Sequence, residues 1–276
     1  MRWCRVKLAA RLGRASIRLS YVDDTTIAVD PRQPDSRVWA YWALAEFEDM
    51  AFALHVLRKD DVFVDVGGNV GAYTLLAAGG CGASVLVAEP DAANFKALGH
   101  NVERNALGNR VEAVCAALGA AAGVVDFNAN GSSGAHVLRA GDAAAGGVAA
   151  DRVRVVRLDD WVGERVVTLV KIDTEGYELA VIEGASRVLS PAGALAAIVE
   201  VNSSGAYFGS SDESVHGAMT ARGYQACAYD PASRTVTPIE AGWNRRRGNT
   251  IYVRDLAEVR RRCTSAPRHR ALGVHI

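Results

Sequence analysis

Cysteine is scarce in this chain. There are five in 276 residues, at Cys4, Cys81, Cys115, Cys227 and Cys263. They are odd in number and far apart, and no Cys-x-x-Cys pair occurs. A disulfide scaffold and a structural zinc site are both disfavoured, and a reducing, cytoplasmic setting is expected. Net charge is absent too, because 31 basic residues balance 31 acidic ones. Holding nucleic acid by bulk attraction to phosphate needs a cationic surplus, so no nucleic-acid partner is expected. No apolar run approaches the roughly 18 residues of a membrane span. The first twenty residues carry Arg2, Arg5, Lys7, Arg11, Arg14 and Arg18 but no continuous apolar stretch. That argues against a secretory signal. Internal repeats are missing as well.

What is present is a globular composition, 50% hydrophobic and 22% charged, on a chain long enough to bury a core. Residues 1–46 read as an extension, with a short basic helix followed by a hairpin of 17–22 and 25–29 around Asp23-Asp24. The basic helix could touch a membrane surface, but its apolar face is weak. Residues 38–57 carry Trp39, Trp42, Phe47 and Phe52 at helical spacing, which predicts one or two helices covering a core. From Asp61 onward short apolar runs alternate with helical stretches. Segments 62–66, 85–88, 111–115, 168–172, 196–201, 224–229 and 249–253 read as strands. Strands apolar on both faces, alternating with helices, predict an α/β fold with a doubly wound, Rossmann-like, mostly parallel sheet over residues 47–254. Residues 119–150 break the rhythm. A strand is expected at 124–127, then a flexible Gly/Ala/Ser-rich excursion. Residues 255–276 read as a basic, irregular tail.

Ligands bind such sheets beyond the carboxyl ends of the strands. The first strand runs there into Asp65-Val66-Gly67-Gly68-Asn69-Val70-Gly71. Gly67 and Gly71 permit unusual dihedrals and a close ligand. Asn69 stands where the dinucleotide fingerprint needs its second glycine, which disfavours NAD. An NAD-linked oxidoreductase on a similar sheet is nonetheless the first alternative. No phosphate-loop motif is present, which disfavours ATP. Asp65 would face a cation better than a phosphate. The second strand ends in Glu89-Pro90-Asp91, with Asp91 placed to cap the next helix, and a carboxylate at Glu89 can accept both hydroxyls of a ribose. Together these residues describe a pocket for an unphosphorylated nucleoside with a positive centre, such as S-adenosylmethionine. The plainer reading is a helix-capping Asp and a surface Glu.

These segments resemble the FkbM-type S-adenosylmethionine-dependent methyltransferases, of the class I methyltransferase fold. The resemblance spans about Phe47 to Val253. It rests on Asp65 to Thr74, on Glu89 to Phe95, on Val156-Arg157-Leu158-Asp159-Asp160, and above all on Val170-Lys171-Ile172-Asp173-Thr174-Glu175-Gly176-Tyr177-Glu178 with Val181-Ile182-Glu183-Gly184-Ala185 after it. It implies a seven-stranded sheet with the last strand antiparallel, and O-methylation of a hydroxyl on a sugar or polyketide-like acceptor. It implies that Gly67, Asn69 and Gly71 line the methionine and ribose, that Glu89 beside Pro90 holds the ribose, and that Cys115, Ala116 and Ala117 lie near the adenine. The family usually has Ala at Gly68, so a slightly looser turn is expected.

Methyl transfer is an in-line displacement, so positioning supplies much of the rate. An alcohol also needs a general base, or a metal that lowers its pKa. Asp173 ends the fourth strand beside the expected methyl position, with Glu175 in the turn and Glu178 on the next helix. Crowded carboxylates tend to raise at least one pKa, which suits a base; capping the helix is the structural alternative. Asp173 and Glu175 are the candidates for positioning or deprotonating the acceptor, with Asp173 also at the cofactor. Lys171 is expected to pair with a carboxylate. Glu200 and Asn202 share a face at the end of the fifth strand and are candidate substrate ligands. With Asp173 they could hold Mg²⁺, but no metal site is assigned, since metal-dependent O-methyltransferases use an adjacent Asp-Asn pair and Val201 intervenes here. His136, in the loop 131–136, is a candidate base that could swing over the acceptor. His55, His100 and His216 read as structural. Arg245-Arg246-Arg247 could meet an anionic acceptor, though a solvated turn is preferred. The expected activity is methylation of a hydroxyl of a saccharide or secondary metabolite. The second alternative is a binding protein that keeps the pocket without turnover.

Overall fold

Runs of buried branched residues make the strands, and turn residues between them set where each ends. The computed structural model describes every residue except 1, 33–37, 39–41, 43, 130–134, 140–141 and 143–149. It opens with α1 (Arg2–Arg11) and the antiparallel hairpin β1 (Ile17–Ser20) and β2 (Thr26–Val29). Next come α2 (Phe47–Val56), β3 (Val62–Val66), α3 (Ala72–Leu75), β4 (Ser84–Ala88), α4 (Ala92–Arg104) and β5 (Val111–Val114). Four short strands follow: β6 (Ala117–Leu118), β7 (Gly123–Asn128), β8 (His136–Val137) and β9 (Asp151–Val156). Then come α5 (Leu158–Val162), β10 (Leu169–Ile172), α6 (Glu178–Glu183), β11 (Ala196–Glu200) and α7 (Asp212–Thr220). The strands β12 (Gln225–Asp230), β13 (Thr235–Pro238) and β14 (Asn249–Val253) precede α8 (Leu256–Thr264) and the hairpin β15 (Arg270–Ala271) and β16 (Val274–His275).

The main sheet has the order β13-β12-β14-β11-β10-β3-β4-β5. Five neighbours, β5 to β11 in that order, are parallel, and β14 runs antiparallel between β11 and β12. Every residue of β10 and of β11 is buried, as a strand covered on both faces requires. One face, through Phe63, Leu169, Ile198 and Ile251, packs under α2, α3 and the β1–β2 hairpin. The other, through Val64, Val170, Val199 and Tyr252, packs on α5, α6 and α7. The strand count is eight, not the seven that the resemblance implies. The extra strand is β13, a hairpin partner of β12 whose residues are mostly exposed or half-buried and which ends in Pro238. That is an edge pattern, without the apolar run that marks the inner strands.

Three further expectations change. The segment 119–150 is not only an excursion, because β7 and β9 pair antiparallel over five residues in a separate four-stranded sheet with β6 and β8. Most of the Gly/Ala/Ser-rich part lies outside the described residues. The tail 255–276 is not irregular. α8 turns Val259 and Cys263, one helical turn apart, into the core and Arg260 and Arg261 outward, while Arg262 reaches inward to Asp61 and the Val56 carbonyl. Residues of α1, the first hairpin, α8 and Ala271 belong to the same core cluster as Phe52 and Leu75. Thirdly, of the aromatics at 38–57, Phe52 is fully buried but Trp42 and Phe47 are exposed, and Trp39 lies outside the described residues. No helix among the described residues is long and apolar enough to cross a membrane.

Candidate active site

A cavity of about 490 Å³ opens at the carboxyl ends of β3, β4, β10 and β11. Its volume is that of a small-molecule site. The glycine turn forms one wall. Gly67 has φ 82°, and a Cβ there would stand 1.9 Å from the carbonyl oxygen of Asp173. Only glycine lets the turn lie against the end of β10. Gly68 is crowded as well, by a side chain and not by backbone, since a Cβ would fall 2.2 Å from a Val87 methyl. The turn is therefore tight at Gly68 rather than loosened. Asn69 also takes a left-handed φ, 49°. Its backbone N–H donates to Glu89 Oε2 at 2.7 Å, and Asp91 N–H donates to Glu89 Oε1 at 2.8 Å. Burial pushes the Glu89 pKa up to about 7 against the pull of these donors. A pyrophosphate seated on this turn would meet the Glu89 carboxyl, which adds a physical objection to a dinucleotide.

Asp65 is 1% exposed, with the Thr74 hydroxyl donating to Oδ2 at 2.7 Å. Burial raises its pKa, and Lys171 opposes the rise. Lys171 is itself buried and reaches Asp173 Oδ2 at 2.5 Å, the expected pairing. Burial disfavours its charge, but Asp173, Glu46 and Asp65 outweigh that and hold its pKa above the ordinary range. Glu175 stands at φ 56°, and single oxygens of Asp173, Glu175 and Glu200 all lie within 4.8 Å of one another. Glu178 is different. Its Oε1 accepts from Thr174 N–H, Thr174 Oγ1 and Gly176 N–H at 2.9 to 3.0 Å, so it closes the turn and does not line the cavity. Glu200 is 9% exposed; Asn202 Nδ2 donates to its Oε1 at 2.7 Å, and Oε2 is buried without a hydrogen bond. Burial, then Asp173, Glu178 and Glu175, push the Glu200 pKa up to about 10. Three converging carboxylates are a donor set for a hard cation, but Lys171 already occupies Asp173.

The structure thus brings Asp65, Gly67, Asn69, Glu89, Pro90, Ala116, Ala117, Asp173, Glu175 and Glu200 to one cavity. Gly71 sits behind the turn at the start of α3. Cys115 is exposed and outside the lining. Asn202 acts on Glu200 rather than on the cavity. His136 needs correction. It lies on β8 between Ala135 and Val137, which both line the cavity while His136 does not. Strand alternation turns it to the other side, where its ring meets Tyr207 edge-on at 5.5 Å between centroids. His55 bonds Tyr229 Oη through Nδ1 at 2.5 Å, and His216 Nδ1 lies 3.2 Å from Tyr252 Oη, both structural contacts. Arg247 pairs with Glu48, and Arg245 stacks over Trp243.

Glu46, Tyr73 and Asn249 also belong to the site region, and no sequence motif marks Glu46 or Asn249. Tyr73 Oη donates to Glu46 Oε2 at 2.6 Å, and Asn249 Nδ2 donates to the same oxygen at 2.9 Å. Searching the carboxyl ends of strands misses Asn249, because β14 is antiparallel and brings its amino end there, opposite Glu200. Glu46 precedes α2 and carries no motif. Tyr73 lies within the segment Asp65 to Thr74 that carries the family resemblance.

A strand-to-helix glycine turn, a buried carboxyl one strand away and a strand-end carboxylate cluster define a nucleoside-binding α/β enzyme. A family profile described as "Methyltransferase FkbM domain" matches residues 65–226. The chain belongs to the FkbM methyltransferase family, and is an S-adenosylmethionine-dependent methyltransferase. A search among curated proteins finds no match. Among solved structures, one similar chain is TYW2 of M. jannaschii in complex with AdoMet, 13% identical, covering 87% of each chain at a TM-score of 0.44. Another is a candidate transferase of Pyrococcus horikoshii, 15% identical, covering 87% of this chain and 71% of that one at 0.45. A third is TrmK of M. capricolum with S-adenosyl-homocysteine, 8% identical, covering 75% and 68% at 0.39. At these values the structural likenesses carry no weight for function.

Proposed function

We propose that this enzyme methylates a hydroxyl of a small molecule, a saccharide or secondary metabolite, in a reducing compartment such as the cytoplasm. The observation that carries the reading is the contact between the glycine turn and the carboxylate cluster: Gly67 lies on Asp173, whose side chain meets Glu175 and Glu200. Asp65, Gly67, Asn69, Glu89 and Pro90 hold the methionine and ribose part of the cofactor, Gly71 shapes the turn from behind, and Ala116 and Ala117 face the adenine. When bound, the cofactor supplies a methyl group on a sulfonium. Asp173, held by Lys171, positions the acceptor hydroxyl, and Glu175 takes its proton as its oxygen forms the new bond to carbon and the carbon–sulfur bond breaks. Glu200, protonated at neutral pH by its surroundings, donates to the acceptor, with Asn202 fixing its orientation. The five cysteines are free thiols, as a reducing compartment leaves them.

Incubation with labelled S-adenosylmethionine and a panel of saccharides and metabolites, read by mass spectrometry, tests this. Asp173→Asn and Glu175→Gln should each lower turnover about 100-fold or more while S-adenosylhomocysteine still binds. NADH binding without S-adenosylmethionine binding would sink the reading. Cofactor binding with no acceptor ever methylated would leave only a binding protein.

A further inference from the structure

The segment from α1 to the end of β1 carries charge of one sign. Arg2, Arg5, Lys7, Arg11, Arg14 and Arg18 are its basic residues, and the chain has no acid before Asp23. All but Arg2 are exposed. None of the six forms an ion pair among the described residues. Elsewhere surface arginines find acids, as Arg165 does at Glu112 and Arg261 at Glu258.

The same helix has two apolar sides. Val6 and Ala9 are buried, and Val6 joins the core cluster with Leu19 and Tyr21. Leu8 and Leu12 turn to solvent, 57% and 62% exposed. They follow the exposed Cys4 at intervals of one helical turn. Leu12 N–H donates to the Leu8 carbonyl at 2.9 Å, which carries the stripe past the end of α1. Lys7 and Arg11, also one turn apart, run beside it, and the Lys7 ammonium lies 3.8 Å from the centroid of the half-exposed Trp3 ring. This division explains why the apolar face is weak in sequence. Part of it serves the core, and what remains outside is two leucines set among cations.

Phosphates of a nucleic acid would reward the cations and leave the leucines in water. A second copy would bring cations against cations. An anionic bilayer rewards both groups, since its headgroups meet the basic side chains and its acyl boundary takes the leucines. Clusters of about four to eight basic residues on an amphipathic helix are the pattern that such surfaces attract. We propose that the outer face of α1 docks this protein on an anionic membrane surface, with Leu8 and Leu12 in the headgroup boundary and Arg5, Lys7, Arg11, Arg14 and Arg18 on the lipid phosphates. The docking is independent of the acceptor chemistry.

Flotation of the full chain with lipid vesicles tests it. The wild type should float with vesicles of equal parts phosphatidylcholine and phosphatidylglycerol, stay behind with phosphatidylcholine alone, and come off in high salt. Lys7→Gln with Arg11→Gln should weaken binding about twentyfold. Leu8→Ser with Leu12→Ser should weaken it by about tenfold or more. All four side chains are exposed, so the melting temperature of each variant should match that of the wild type. On the anionic vesicles alkylation of Cys4 by iodoacetamide should slow, while Cys115, exposed just after β5, reacts as before. A wild type left behind by both kinds of vesicle overturns the docking, whether the face then holds polyuridylate or, by light scattering, a second copy. Leucine variants that float as well as the wild type overturn it too, since charge alone would then account for the binding.

Discussion

If Glu89 holds the ribose as proposed, a single proton on its carboxyl decides how the ribose is met. The carboxyl is buried, receives two backbone N–H groups, and has its pKa pushed up to about 7. Two hydroxyls are best accepted by the ionised form. Cofactor affinity should therefore rise as pH climbs through 7, by about tenfold between pH 6 and pH 8. Titration of S-adenosylhomocysteine at several pH values measures this, and in Glu89→Gln binding should be weaker and the slope gone. A flat wild-type profile would count against Glu89 as the ribose ligand. Gly67→Ala is a harsher change. Its methyl would strike the backbone of Asp173, not a side chain that can swing aside. A loss of about 3 kcal/mol or more in unfolding free energy is expected, with the cofactor site displaced. These residues were readable from sequence because their chemistry is local: a strand, a turn, an acid. Glu46 and Asn249 were not, since their place depends on how an antiparallel strand and a preceding helix are laid against the sheet. His136 stands off the cavity lining for a similar reason, as one residue of alternation reverses the face.

Among elements, α4 shows what local signals can carry. Asp91 caps it, accepting from Ala93 N–H at 2.8 Å and Asn94 N–H at 2.9 Å. Asp91→Ala should lower stability by about 1 kcal/mol in denaturant titration, with the fold kept. α8 shows the limit of such signals. Its arginines dominate the local composition, and only two of its residues, Val259 and Cys263, are buried. Those two, with Leu256 beside them and Arg262 bonded to the Val56 carbonyl and Asp61, seat it on the core beside α2. Truncation after Arg254 should remove about 3 kcal/mol or more of apolar burial and lower the melting temperature clearly. An unchanged melt would mean that the segment is the dispensable tail its composition suggests. The inner parallel strands were legible because both faces are apolar. β13 was not, because an edge strand needs only one buried side chain, here Val236.

For the whole molecule, zero net charge conceals buried carboxyls whose surroundings raise their pKa. Asp49 is pushed up to about 7, Glu89 to about 7 and Glu200 to about 10, each first of all by burial. A carboxyl whose folded pKa lies above its unfolded value stabilises most below the unfolded value, and loses that contribution as pH rises to the folded one. His55 works the other way. Burial lowers its pKa to about 4, so its penalty fades as pH rises to 6.5. Glu258, held at about 2 by Arg261 and Arg262, matters only below pH 4.5. Between pH 6.5 and 8.5 the buried acids are left to set the slope. The ligand-free protein should therefore melt at lower temperature as pH rises across that window. Glu200→Gln should flatten most of the decline, since Glu200 has the furthest to titrate. Calorimetric melts at half-unit steps measure both. A melting temperature that holds or climbs from pH 6.5 to 8.5 would show that these carboxyls are already ionised in the fold, and that the cavity carries its full negative charge before any cofactor arrives.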